Sequence, residues 1–427
     1  MERAQPQQGA VMALQGCSSR LDHATRPCPV DMLEALAMGL LVKAAMAAFL
    51  ALIIGGAAMA QNADKDKGMI NMLFGETPVT AESFAPDFLN AIPFEQVRNL
   101  IEATRKQIGP VLDVKETSGG YRIETATHQM DVKITLDGQG RVAGLLLQPA
   151  VATTQTIDEL AAELAALPGN VAYLVTKNGD VVVAKDADKA LAVGSAFKLG
   201  VLAALKDRIE AGTDRWEDVA RLEARQVSLP SGILQTFAVG SPVTLSTLAT
   251  LMISISDNTA TDVLLDHVGR EAVAKRLGVD FVPKTRELFI LKADKTLRER
   301  YLAADVAGKL ALTREMDGRS ISLKEAELTP HDDGVEWYVP LNRLCELAVE
   351  VKGLDPMRAA PGPAGDVDWA QVAYKGGSEV GVLNMTTAAV SRAGDVYCVA
   401  MTWNNGEALD AAKAVVPYGG ILAKLAR

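Results

Sequence analysis

The 427-residue sequence predicts an α+β fold: an antiparallel sheet flanked by helices, with an all-helical lobe beside it, preceded by a small α+β domain. Two observations predict it. Alternating apolar stretches stand near both ends of residues 153–427, whereas the patterned segments between them are helical, so the two ends must supply one sheet. Residues 83–150 separately hold one helical pattern followed by a series of alternating stretches, enough for a helix on a small sheet.

In chain order, Lys43 is followed by the apolar run AAMAAFLALIIGGAAMA, in which Ala58 and Ala60 flank Met59. A positive residue, an apolar core and an A-x-A site predict a secretory signal cleaved before Gln61, so residues 1–60 read as a signal with an upstream extension. Met32 and Met38 are alternative starts. An uncleaved anchor is the competing reading, because about 20 apolar residues suffice to span a bilayer. Residues 61–82 are polar and without periodicity, and read as a linker. Within 83–150, Phe94, Val97, Leu100 and Ile101 fall at helical spacing. Strand patterns follow at 110–116, 121–126, 130–136 and 141–147, with Asp137-Gly138 as a hairpin turn. Its polar residues converge on no chemistry, so it reads as a structural accessory domain.

The larger domain opens with a helix at 156–167 and a hairpin, Val171–Thr176 and Val181–Ala184, turning at Asn178-Gly179. Helical patterns occupy 195–211, 244–254, 258–268 and 341–351. Strand patterns at 371–376, 380–390 and 396–403 precede a last helix at 408–426. Residues 291–340, with Lys292, Asp294, Lys295, Arg298 and Arg300, read as a solvated surface insertion.

Composition narrows the function classes. Apolar residues are 49% and charged residues 22%, ordinary for a globular chain. The net charge is -10 and no dense Lys/Arg run occurs, which excludes nucleic acid as an expected partner. The cysteines, at 17, 28, 345 and 398, form no CxxC, and the histidines (23, 128, 267, 331) are scattered, so a structural zinc site is not expected; the acyl transfer read below needs neither a metal nor an organic cofactor. Cys345 and Cys398 read as two buried thiols, with a disulfide as the alternative in an oxidising compartment.

Three short motifs carry chemistry. Ser195-Ala196-Phe197-Lys198 opens an apolar helix; residues i and i+3 share a helix face, so the lysine amine can reach the serine hydroxyl. The positive end of the helix disfavours protonation of that amine, and a neutral amine can take the proton of Ser195 as it attacks an acyl carbon. Ser256-Asp257-Asn258 sits on a tight link between two helical runs. There Ser256 can relay a proton, Asn258 can bind substrate or Lys198, and Asp257 braces the loop. Lys375-Gly376-Gly377-Ser378 ends a strand, on which Lys375 and Gly377 share one face. Lys375 can bind a substrate carboxylate and lower the pKa of Lys198 by like-charge repulsion. Taken singly, each motif is as well explained by an N-cap or an exposed turn.

In this order, 61 and then 119 residues apart, the three motifs resemble the Ser-x-x-Lys, Ser-Asp-Asn, Lys-Thr-Gly signature of class A β-lactamases and penicillin-binding proteins. The text NTATDVLLDHVG after Ser256 is similar to that family's following helix, and the resemblance covers roughly 153–427. It implies a β-lactamase/transpeptidase-like domain with Ser195 as acylated nucleophile, Lys198 as its base partner and Ser256 as proton relay. Asn258, Lys375, Gly377 and Ser378 would contact substrate, and the N–H groups of Ser195 and Ser378 would form an oxyanion hole. A small domain before such a domain also resembles exported serine hydrolases related to a protein of clavulanic acid biosynthesis.

Two departures from the pattern matter. Gly376 stands where a Thr or Ser hydroxyl is usual. The family's Glu-x-x-Leu-Asn pentapeptide, which carries the base for deacylation, does not occur. Glu287 is the candidate for that role by its distance after Ser256, whereas Glu336, before Leu341-Asn342, reads as a helix-terminal acid. The expected protein is therefore periplasmic or secreted, with no lasting membrane anchor, and acts on a small acyl substrate: a β-lactam, peptide or ester. A cell-wall peptidase or esterase with slow deacylation, or a non-catalytic wall-binding protein of this fold, are the alternatives. A Ser-His-Asp enzyme is disfavoured, because His267 and His331 accompany no nucleophile elbow.

Overall fold

The computed structural model describes residues 63–427 except 118, 149, 320, 322–333, 365–368 and 427. The expected signal, Cys17, Cys28, His23 and His331 lie outside the described residues. Among those described, no helix is long and apolar enough to cross a membrane.

The N-terminal part is a helix on a sheet. Strands β1 (Val111–Thr117), β2 (Gly120–Thr125), β3 (His128–Leu136) and β4 (Val142–Leu147) pair antiparallel in that order, and the short β5 (Val151–Ala152) adds to β3. The β3–β4 turn forms because the Asp137 carboxylate accepts the N–H groups of Gln139 and Arg141, both at 2.9 Å. The helix Phe94–Ile108 buries Val97, Ile101, Thr104 and Ile108. Leu100, part of the predicted apolar stripe, instead points outward and is 55% exposed. The buried positions recur at i, i+4, i+7 and i+11, and Leu100 lies off that line.

The expected linker is corrected. Residues Ala63–Phe74 form a helix that buries Ile70, Leu73 and Phe74 in the same core as Ile101, Ile123 and Val132. Arg105 donates to the carbonyls of Leu73 and Thr77, each at 2.8 Å, and so satisfies the helix end. Its apolar residues crowd into the last two turns, too short a run for periodicity to show.

The C-terminal part begins with the helix Ile157–Ala165, started by a capping box between Thr156 and Glu159. The hairpin β6 (Asn170–Lys177) and β7 (Asp180–Lys185) follows, then β8 (Leu191–Ala192). Helices Lys198–Glu210, Leu245–Ser254, Asn258–Val268, Arg270–Leu277 and Leu341–Val351 build the helical lobe. Within this stretch β9 (Val219–Arg221) pairs with β10 (Pro242–Thr244), and β11 (Tyr338–Val339) pairs with β8. Strands β12 (Trp369–Glu379), β13 (Val382–Ser391) and β14 (Val396–Asn404) then complete an antiparallel sheet in the order β12-β13-β14-β6-β7. The helix Ala412–Leu425 closes the chain. The sheet is therefore made from both ends of this region, as predicted, with β12 at an edge.

Each sheet face has its own core. Tyr173, Met401 and Trp403 face the helices Ile157–Ala165 and Ala412–Leu425, where Leu160, Leu164, Tyr418 and Ile421 are buried. Ala373, Ala388 and Ala400 face the lobe, packed with Leu199, Leu202, Leu344 and Leu347. Because side chains alternate along β12, Ala373, Lys375, Gly377 and Glu379 share the lobe face.

Two further expectations change. Cys345 and Cys398 are joined in a disulfide, their Cα atoms 5.7 Å apart. The lobe-facing side of β14 meets the sheet-facing side of the helix Leu341–Val351, a pairing that sequence spacing could not reveal. The insertion at 291–340 is not merely solvated surface. The helices Thr285–Ala293, Lys295–Ala303 and Val306–Met316 bury Leu291, Leu297, Tyr301, Leu312 and Met316 together with Val335 in a separate cluster. Lys292 has no exposed side-chain surface.

Candidate active site

The site forms where the first turn of the lobe meets the edge strand β12. Ser195 lies in a tight turn, Gly194–Phe197, just ahead of the helix that Lys198 begins. Gly194 has φ +49°, and a side chain there would press on the Gly377–Ser378 backbone. Phe197 stacks on Trp337 with ring centroids 4.1 Å apart, and the Trp337 carbonyl accepts the Val193 N–H at 2.9 Å. The turn is thus held from both sides. A Cβ on Gly377 would overlap the Val193 carbonyl and the Ser195 N–H and come within 2.8 Å of Ala196 N, so β12 lies directly against this turn.

The structure brings the three motifs together. Lys198 is fully buried, and its amine donates to the Ser256 carbonyl at 2.6 Å, the Ser256 hydroxyl at 3.0 Å and Asn258 Oδ1 at 2.7 Å. None of these bonds goes to Ser195. Lys375 reaches the same Ser256 hydroxyl at 3.2 Å and the Gly376 carbonyl at 2.5 Å. One hydroxyl therefore stands between two amines. Ser256 adopts a left-handed backbone, φ +56°, which turns both its oxygens towards Lys198. Asn258 is oriented by donating to the Leu229 carbonyl at 3.1 Å.

Burial drives the amine of Lys198 well below the ordinary lysine value, and the like charge of Lys375 adds to that; Asp262, Asp257 and Glu379 oppose it. Burial alone pushes Lys375 down to about 7. A lysine kept neutral near pH 7 can accept a proton, and a hydroxyl between two such amines can pass one.

Asp257 braces the loop. One carboxylate oxygen caps the following helix by accepting the Ala260 N–H at 2.8 Å, and the other accepts the N–H groups of Ile233 and Leu234 at 2.7 and 2.8 Å. Replacing it with Ala strands all three donors. Asp257→Ala is expected to cost about 3 kcal/mol or more of unfolding free energy in denaturant titration. A loss below about 1 kcal/mol would remove Asp257 as the brace.

Gly376 finds its reason in packing. A Cβ there would overlap the Tyr374 hydroxyl and stand 3.0 Å from the Asn384 carbonyl, so a phenol fills the space a threonine would need. The Ser378 side chain is exposed and faces away from the lobe, as expected for its place on β12. His267 pairs with Asp214 at 2.8 Å, not with the Ser195 turn.

The Glu287 expectation changes. It is 3% exposed, and its hydrogen bonds go to Arg270, at 2.7 and 3.0 Å, and to the Lys284 N–H at 2.8 Å. It closes the first turn of its own helix and makes no hydrogen bond to Ser195, Lys198 or Ser256. Glu336 is likewise not a helix-terminal acid: the next helix starts at Leu341, and Glu336 is buried on Lys292 at 2.5 Å. Two carboxylates near the site escaped the sequence reading. Asp262, one turn after Asn258, holds the Thr285 and Arg286 N–H groups at 2.7 and 2.9 Å, and burial raises it to about 7. Glu379 directly follows the third motif. Helical spacing from Asn258 could have flagged the first and strand alternation from Lys375 the second.

The fold and the converging motifs define a β-lactamase/transpeptidase-like architecture. Comparison agrees: a profile of the "Beta-lactamase enzyme family" matches residues 152–323, and the chain resembles the class A β-lactamase and penicillin-binding-protein fold family. Similar solved structures include a β-lactamase from Sphaerobacter thermophilus, at 22% identity over 64% of this chain and 97% of that one, TM-score 0.46. PBP-A is similar at 15% identity, over 64% of this chain and 96% of that one, TM-score 0.44. An ancestral Gram-negative class A β-lactamase is similar at 17%, over 64% and 100%, TM-score 0.43. No curated protein matches the sequence.

Proposed function

We propose that the chain is an exported serine hydrolase acylated at Ser195, acting on β-lactam, amide or ester carbonyls. The carrying observation is the Lys198 amine, wholly buried, depressed below its ordinary pKa, and bonded to Ser256 and Asn258 beside a second depressed lysine. In this reading neutral Lys198 takes the Ser195 proton as Oγ attacks the carbonyl carbon, and Ser256 passes a proton to the leaving group. The N–H groups of Ser195 and Ser378 receive the developing oxyanion, each donor worth about 3 kcal/mol. Lys375 and Asn258 hold substrate, with Gly377 leaving room for it along β12. The A-x-A segment supports a periplasmic or secreted location, and residues 83–150 are read as a structural accessory domain. The engagement of Glu287 elsewhere favours a second reading, a penicillin-binding peptidase or esterase with slow deacylation.

The test is incubation with a chromogenic cephalosporin, following absorbance and intact mass together. Expected is a covalent adduct or turnover, both abolished in Ser195→Ala. Neither event in the unmodified protein, with simple esters also untouched, would overturn the proposal.

A further inference from the structure

With Glu287 engaged elsewhere, an acylated Ser195 still needs a group to activate water. Glu379 shares the lobe face of β12 with Lys375 and Gly377, and Gly377 lies against the Ser195 N–H. It directly follows Ser378, and its carboxylate is close enough to Lys198 to act on that amine electrostatically. Its side chain is 17% exposed, so water reaches it. One oxygen, Oε2, is held at 2.5 Å by Lys292, which also binds Glu336 at 2.5 Å. Lys292 is wholly buried, and although burial works to lower its pKa, the two carboxylates keep the amine above its ordinary value, hence charged. A buried permanent cation is a costly anchor for a surface carboxylate. It makes sense where the carboxylate must be held in one place at the mouth of a site.

We infer that Glu379 is the base for deacylation, resting on the reading that Ser195 is acylated. Water gives one proton to the Glu379 carboxylate while its oxygen bonds to the acyl carbonyl carbon. The resulting oxyanion sits at the N–H groups of Ser195 and Ser378. It collapses as the carbon–Oγ bond breaks; the proton on Glu379 is returned to Ser195 Oγ, and the acyl group leaves as a carboxylic acid.

The variant Glu379→Gln keeps the shape and an oxygen for Lys292 but cannot take a proton. Followed by intact mass with a cephalosporin and with a simple ester, the Ser195 adduct is expected to form at the unmodified rate and to persist about 100-fold longer or more. Hydroxylamine, which needs no base, should still release the trapped adduct, as it does for an acyl ester. Glu379→Asp should recover part of the turnover. Equal adduct lifetimes in the two proteins would overturn the assignment, as would an adduct that never turns over in the unmodified protein. No adduct and no turnover in either protein would instead overturn the acylation reading, and this inference with it.

Discussion

Lys198→Met is expected to slow acylation of Ser195 by about 100- to 10,000-fold while leaving the protein folded. Methionine fills nearly the same buried volume, and its thioether cannot accept the serine proton. Two stability effects oppose one another. The substitution removes an amine that burial penalises whenever it is charged. It also removes the donor to the Ser256 carbonyl and hydroxyl and to Asn258 Oδ1. Unfolding free energy should therefore change by no more than about 2 kcal/mol. The pH dependence of acylation reads the same group. The amine serves as a base only when neutral, so acylation should be complete above its depressed pKa and should fall as pH drops through it. Removing Lys375 as Lys375→Met takes away a like charge, raises the Lys198 pKa and should move that acid limb to higher pH. Single-turnover adduct formation against pH checks both. Unchanged acylation in Lys198→Met would end the proposal that this amine is the base.

Gly377→Ala should reduce acylation by about 100- to 1,000-fold, through geometry rather than chemistry. The added methyl would overlap the Val193 carbonyl and the Ser195 N–H, which are backbone atoms and cannot swing away. β12 and the Gly194–Phe197 turn must then separate, and with them the two N–H groups assigned to the oxyanion. Overpacking should also cost about 1–3 kcal/mol of stability. Gly376→Ala is the internal comparison, because its methyl would meet the end of the Tyr374 side chain rather than the Ser195 turn. A similar activity loss in both variants would show that β12 responds as a whole and that Gly377 has no special place at the oxyanion.

Much of the C-terminal part was legible in the sequence because its signals are local. Alternation marks the hairpin at Asn178-Gly179 and the three C-terminal strands; motif order marks Ser195, Lys198, Ser256, Asn258 and Lys375, and the fold brings the amines of Lys198 and Lys375 to the Ser256 hydroxyl. The helix Ala63–Phe74 was missed for want of period, its buried residues confined to two turns. Glu287 looked available because sequence distance does not register that Arg270 lies across from it.

Residue order by itself determined the fold class, the helical lobe between two sets of strands, and the short list of groups with chemistry to offer. Only the tertiary structure decided which of those groups are buried beside one another, that Cys345 meets Cys398, and that Glu287 is taken up by Arg270 while Glu379 is held by Lys292. The physical reason is that spacing along a helix or strand sets which side a residue occupies. Desolvation, ion pairing and steric room, in contrast, depend on what the rest of the chain brings to that side.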